Sequence, residues 1–146
     1  MRRLAAMMAA VFAVTLAVYL PSASYEFVDY DDTDYVLKNE HMRDGLTGAN
    51  IAWAWTSRGY ADNWHPLTWM SLMADVCVLK TCSSERWGTW DFDRGTGDAW
   101  FSKLSHLMHF HNVLLHAANA ALLFLLIVLL ARRAGKEENE ELRVKS

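Results

Sequence analysis

Val113-Leu114-Leu115-His116-Ala117-Ala118-Asn119-Ala120-Ala121-Leu122-Leu123-Phe124-Leu125-Leu126-Ile127-Val128-Leu129-Leu130-Ala131 is a run of 19 residues without one formal charge. As a helix it covers the roughly 30 Å of a hydrocarbon layer. A second uncharged run, Leu4 to Leu20, has 17 residues and just reaches the same thickness. The apolar residues of the 146-residue chain are concentrated in these two blocks instead of recurring at helix or strand periods. This distribution predicts an all-α membrane protein, with two transmembrane helices joined by a long exported loop that carries short amphipathic helices. The expected division is a first membrane helix over 1–20, the loop with an acidic motif over 21–105, a second membrane helix over 106–131 and a cytoplasmic tail over 132–146.

Charge sets the expected orientation. Arg2 and Arg3 precede the first block, and Arg132, Arg133 and Lys136 follow the second, so the positive-inside rule places both termini in the cytoplasm and the loop outside. Residues 21–112 carry 13 Asp and Glu against 7 Lys and Arg. No basic stripe faces that side, which argues against nucleic acid as a partner. The first block also reads as a secretory signal, because Met1-Arg2-Arg3, an apolar core and Ser22-Ala23-Ser24 form the three regions such a signal needs. Anchor and signal are both compatible with an exported loop. Cys77 and Cys82 lie in that loop, where a disulfide can form and persist; two thiols at this spacing lack the further ligands of a zinc site.

The loop opens on Phe27-Val28-Asp29-Tyr30-Asp31-Asp32-Thr33-Asp34-Tyr35, four carboxylates within six positions. Ionisable groups set against a membrane mark function more often than ornament, and a solvated acidic turn is the plainer reading. Asp29, Asp31, Thr33 and Glu40 occupy four ligand positions of an EF-hand loop, but Asp34 stands where that loop needs glycine. Gly45-Leu46-Thr47-Gly48-Ala49-Asn50 reads as a turn capping a short helix over Ile51 to Trp55. Asn63-Trp64-His65-Pro66-Leu67-Thr68-Trp69 introduces a further amphipathic helix over Met70 to Val78, with Pro66 in its first turn. His65 reads either as a ligand or phosphate-facing donor, or as a local cap. All seven tryptophans lie in the loop, first as an interfacial aromatic belt and second as platforms for sugar rings. Thr81 to Gly97 shows no period and reads as an irregular excursion, in which Asp91 and Asp93 are a turn or a cation site.

The last helix is expected to begin near Trp100. His109, Asn112, His116 and Asn119 fall at offsets of 0, 3, 7 and 10 residues, within a stripe about 80° wide, whereas His111 points elsewhere. Such a polar stripe inside an apolar span is either glue to a neighbouring helix or part of a site. Gly135 to Ser146 mixes charges of both signs and reads as a linker or the start of something longer.

The acidic run with Tyr35-Val36, Gly45-Leu46-Thr47, the motif from Asn63 to Trp69, and His109 to Phe124 together resemble a membrane glycosyltransferase. The resemblance is to the tetratricopeptide-repeat-containing relatives of the protein O-mannosyltransferases, of the multi-spanning C fold class. It implies transfer of a sugar from a polyprenyl-phosphate donor to an acceptor hydroxyl, often a protein Ser or Thr or a glycan, on the non-cytoplasmic side. Asp31 and Asp32 would be the catalytic acidic pair, with a divalent cation such as Mg or Mn bridging them to phosphate. His65, His109, Asn112 and His116 would be the donors facing the lipid phosphate. Enzymes of this kind have many more membrane helices, so the chain is expected to be the N-terminal segment of one, working with further helices or a partner membrane protein in contact with lipid. The alternative is a non-catalytic membrane partner subunit or a degenerate relative.

Overall fold

The computed structural model describes residues 2–28, 30–60, 63–82, 88–91 and 96–145. Asp29, the first carboxylate of the acidic run, lies outside them, as do Ser83 to Trp87 and Asp93. Helix dominates the described residues, and the chain divides into two compact units, Met1–Ser22 with Phe110–Ser146, and Ala23–His109.

In the first unit, α1 (Arg2–Tyr19) is built from Ala, Leu, Met and Val. It passes into a 3₁₀ turn over Leu20–Ser24, where Pro21 cannot continue the α ladder and Ser22 Oγ donates to Tyr19 O at 2.7 Å. No residue of α1 is buried. The final helix, α5 (Ala99–Lys145), buries Val113, Ala117 and Ala121 at four-residue spacing, while Leu122, Leu123, Leu126, Ile127, Leu129 and Leu130 stay exposed. The segments Arg2–Ser24 and Ala99–Glu137 are long and apolar enough to cross a membrane. Arg2–Ser24 buries no residue, and α5 from Leu122 to Glu137 buries none, which suits lipid.

The second unit carries helices where the loop was expected to hold them, and it has a core of its own. A five-residue π turn, Thr33–Leu37, is closed by Lys38 N donating to Thr33 O at 2.9 Å. It turns Thr33, Val36 and Leu37 inward and leaves Asp34 in solvent. Helix α2 (Glu40–Asp44) starts where Asn39 Oδ1 accepts from His41 N at 3.1 Å and ends at Gly45, whose φ of 68° favours glycine. A Cβ on Gly45 would also lie 2.5 Å from Cys77 Sγ. Helix α3 (Gly48–Thr56) is capped by Thr47, whose hydroxyl accepts from Asn50 N at 3.1 Å. Helix α4 (Pro66–Cys82) begins on Pro66, whose missing N–H costs nothing in a first turn. It extends on both sides of the expected Met70 to Val78.

Both α2 and α3 pack on α4. One apolar cluster gathers Phe27, Val36, Leu37, Val76, Leu79, Phe101, Leu104 and Met108, and a second gathers Met42, Ala54, Trp69 and Met73; Tyr35 and Leu72 border both. A two-residue antiparallel pairing, β1 (Trp90–Asp91) with β2 (Thr96–Gly97), precedes α5. Asp98 then caps α5, accepting from Trp100 N at 3.0 Å and Phe101 N at 3.3 Å as well as from Thr89 N at 2.7 Å. The expected disulfide does not form: Cys77 and Cys82 are both free. Five residues along one helix rotate their side chains about 140° apart, and Cys77 Sγ instead accepts from Leu46 N at 3.2 Å.

Buried Asn50 ties this unit together, donating through Nδ2 to His41 O at 2.9 Å and Gly45 O at 2.8 Å, with Oδ1 2.9 Å from His41 Nδ1. Asn50→Ala should cost about 2–3 kcal/mol, because it leaves buried acceptors without donors; urea unfolding followed by tryptophan fluorescence reads this directly. Asp98 gives a pH-dependent counterpart. Burial pushes its carboxyl up, but the hydrogen bonds from Thr89, Phe101 and Trp100 outweigh this and hold it below the ordinary 3.8. Its contribution is therefore present above that value and lost as pH falls through the lower folded-state one. Asp98→Ala should cost no more than about 1 kcal/mol near pH 6, given its exposure, and the gap from the parent protein should narrow as pH falls below the ordinary carboxylate value and through the lower folded-state one.

Candidate functional site

The acidic turn meets the Asn63 to Trp69 motif through Tyr35. Its ring lies 5.2 Å from that of His65 and 4.7 Å from that of Trp69, centroid to centroid. Asn63 Nδ2 donates to Tyr35 Oη at 3.1 Å, and Tyr60 Oη donates to the carbonyl of Asp34 at 3.1 Å. Burial first, then the Asp34 and Glu40 carboxylates, raise the Tyr60 phenol above its ordinary value, so it stays a proton donor across the physiological range. Trp69 is fully buried and also touches Trp53, Tyr60 and His65 at centroid distances of 5.4, 5.6 and 4.8 Å. Thus two stretches some thirty residues apart in sequence share one aromatic centre.

The acidic pair is asymmetric. Asp32 is half-buried, and its Oδ2 accepts from Val28 N at 2.9 Å; Asp31 is exposed. Among the described residues no three His, Cys, Asp or Glu side chains converge to hold a metal ion.

No family model, curated protein or solved structure matches the chain. The reading of the site therefore rests on its geometry.

His65 and His109, two of the four predicted phosphate-facing donors, each have a buried Nε2 without a hydrogen-bond partner, and Trp69 Nε1 is in the same condition. A buried polar atom left unpaired costs about 1–3 kcal/mol, and Ser57 Oγ in the same unit is a further one. Asn112 and His116 belong to the other unit, and both are exposed on α5. There His116 packs against the edge of Tyr19 at 4.6 Å.

Sequence reasoning missed two groupings. His41 stacks on Trp53 at 4.1 Å and joins Asn50, a pairing whose only sequence signal is two polar residues flanking Gly45. Glu26 gathers Ser102 Oγ at 2.7 Å and Ser105 Oγ at 3.2 Å, with His106 Nε2 3.3 Å away. Glu26 and Ser102 are 76 positions apart, which hides that meeting from any local pattern.

Trp69→Ala should cost about 3–5 kcal/mol, the loss of a large buried aromatic with a cavity left behind. Tyr35→Phe should cost less than about 1 kcal/mol, because it removes only the exposed bond from Asn63. Denaturant midpoints of the two variants check this ordering, and equal costs would show that Trp69 is not the centre of the unit.

Proposed function

We propose that the chain is the N-terminal part of a glycosyltransferase that moves a sugar from a polyprenyl-phosphate donor to an acceptor hydroxyl, such as a protein Ser or Thr, on the non-cytoplasmic face of a membrane. The observation that carries this reading is the packing of the acidic turn on the Asn63 to Trp69 motif through Tyr35. Those are the two most specific blocks of the resemblance. The proposal includes the topology that the flanking Arg and Lys residues suggest, with both termini cytoplasmic and residues 23–109 exported.

The chemistry follows from what an alcohol needs. A hydroxyl is a weak nucleophile near neutral pH, so its proton must pass to a base as its oxygen bonds to the anomeric carbon. Exposed Asp31 is the base in this scheme, and Asp32, held by Val28 N, is the positioning residue beside it. The bond from the anomeric carbon to the phosphate oxygen breaks on the opposite face, and the phosphate leaves with its electron pair, inverting the sugar. Growing negative charge on that oxygen calls for fixed donors. His65 and His109 have the unpaired nitrogens to supply them; Asn112 and His116 are donors by the resemblance alone. A divalent cation between the acidic pair and the phosphate would neutralise further charge.

Sugar transfer from a polyprenyl-phosphate donor should be measured in membranes holding this chain and in membranes holding a form extended by whatever follows residue 146 in its gene. Asp31→Asn should lower transfer by about 10²- to 10⁴-fold, the usual worth of a general base. Asp32→Asn should lower it less, since an amide oxygen still accepts from Val28 N. Transfer indifferent to Asp31→Asn would remove the base from the scheme. No transfer in any form would favour a non-catalytic membrane subunit.

A further inference from the structure

The far end of the apolar part of α5 carries a surface that the glycosyltransferase reading does not use. Leu129, Arg132, Arg133 and Lys136 line an open cavity of about 550 Å³. Their spacing of 3, 4 and 7 residues puts them on one face of the helix. The same spacing continues backward through Leu126 and Leu122, so the face is a column of leucines ending in three cations. Leu122, Leu126 and Leu129 are 57%, 51% and 50% exposed, and all three basic side chains are exposed as well. Glu137 lies 3.3 Å from Arg133 Nε as an exposed i,i+4 pair, and the sequence continues with Glu138, Glu140 and Glu141 on the side of the cations away from the leucines. Such a pair contributes little and leaves the other N–H groups of that guanidinium available.

We propose that this column is a binding site for one anionic glycerophospholipid of the surrounding bilayer. Its phosphate is held by Arg132, Arg133 and Lys136, and its acyl chain lies along Leu129, Leu126 and Leu122. Charge and shape select this occupant together. A guanidinium pair matches two phosphate oxygens in a fork that water-exposed lysine alone does not offer. The leucine column beneath it matches a hydrocarbon tail and has no use for a soluble anion. A membrane places both parts of the ligand at the depths where the helix places its leucines and its cations, since basic residues at the end of an apolar span sit at the headgroups. The site is independent of the sugar chemistry, and either proposal can fail without the other.

The test is native mass spectrometry of the full chain released from detergent with phosphatidylglycerol or phosphatidylcholine of matched acyl chains. The expected result is at least tenfold higher retention of phosphatidylglycerol. Changing Arg132, Arg133 and Lys136 together to Gln should lower it by about fivefold per charge, on the order of a hundredfold in all, with phosphatidylcholine retention unchanged. The charge-conserving pair Arg132→Lys and Arg133→Lys should lose the fork and keep the charge, so its retention should fall between that of the parent chain and that of the triple variant, and circular dichroism should show the same helix content in every variant. Equal retention of the two lipids would overturn the proposal in favour of an apolar groove alone. Undiminished phosphatidylglycerol retention by the triple variant would overturn it too. So would displacement of the lipid by millimolar inorganic phosphate, which would reduce the site to an anion patch.

Discussion

Burial of one indole constrains the second unit more than any other contact. Trp69 has no exposed surface and must be covered by side chains from several segments, since no single helix can enclose a ring of that size. Tyr35 comes from the π turn, Trp53 from α3, and Tyr60 and His65 from the connection into α4. Once these rings are set around Trp69, the acidic turn has little freedom. Tyr35 fixes it from one side, and the bond from Tyr60 to the carbonyl of Asp34 fixes it from the other. The π geometry serves the same end. A turn closed by an i→i+5 bond holds one more residue than an α turn, which lets Val36 and Leu37 enter the core while Tyr35 reaches the indole.

Features governed by local physics were legible in the sequence. Two uncharged runs gave two long apolar helices, because length and composition decide that question almost alone. Thr47 and Pro66 stand where helix-start chemistry needs them, and the last helix begins within a residue of Trp100. Other features depended on distant partners. Nothing near Trp69 in sequence announces that Tyr35 will lie on it, and nothing near Glu26 points to Ser102. The disulfide was misjudged for a different reason: the helix expected over Met70 to Val78 runs on to Cys82 and turns the two thiols away from each other.

The two units resolve the hydrophobic effect in opposite ways. Residues 23–109 bury their aromatic and aliphatic side chains in two adjoining clusters, as a domain in water must. Helix α1 buries none of its residues, and α5 beyond Val113 keeps most of its leucines exposed. In water that surface would drive association; in hydrocarbon it is at rest, because a lipid tail is as apolar as leucine. The segregation explains why so acidic a stretch can be tethered to so apolar a pair of helices. The burial that stabilises that unit comes from its own rings and aliphatic side chains.

Exposure of Asp31 bears on how a site here would work. A carboxylate in open solvent is surrounded by water that weakens any hydrogen bond it makes, since the interaction falls with the local dielectric. An acceptor docking over the acidic turn would displace that water and strengthen the contact at the moment it is needed. Asp32, already bonded to Val28 N, would hold its geometry through this change. The orphaned nitrogens of His65, Trp69 and His109 make the complementary case. They carry an unmet demand for hydrogen bonds, each costing about 1–3 kcal/mol of the unit's stability. A bare surface with all its polar atoms satisfied would offer neither effect.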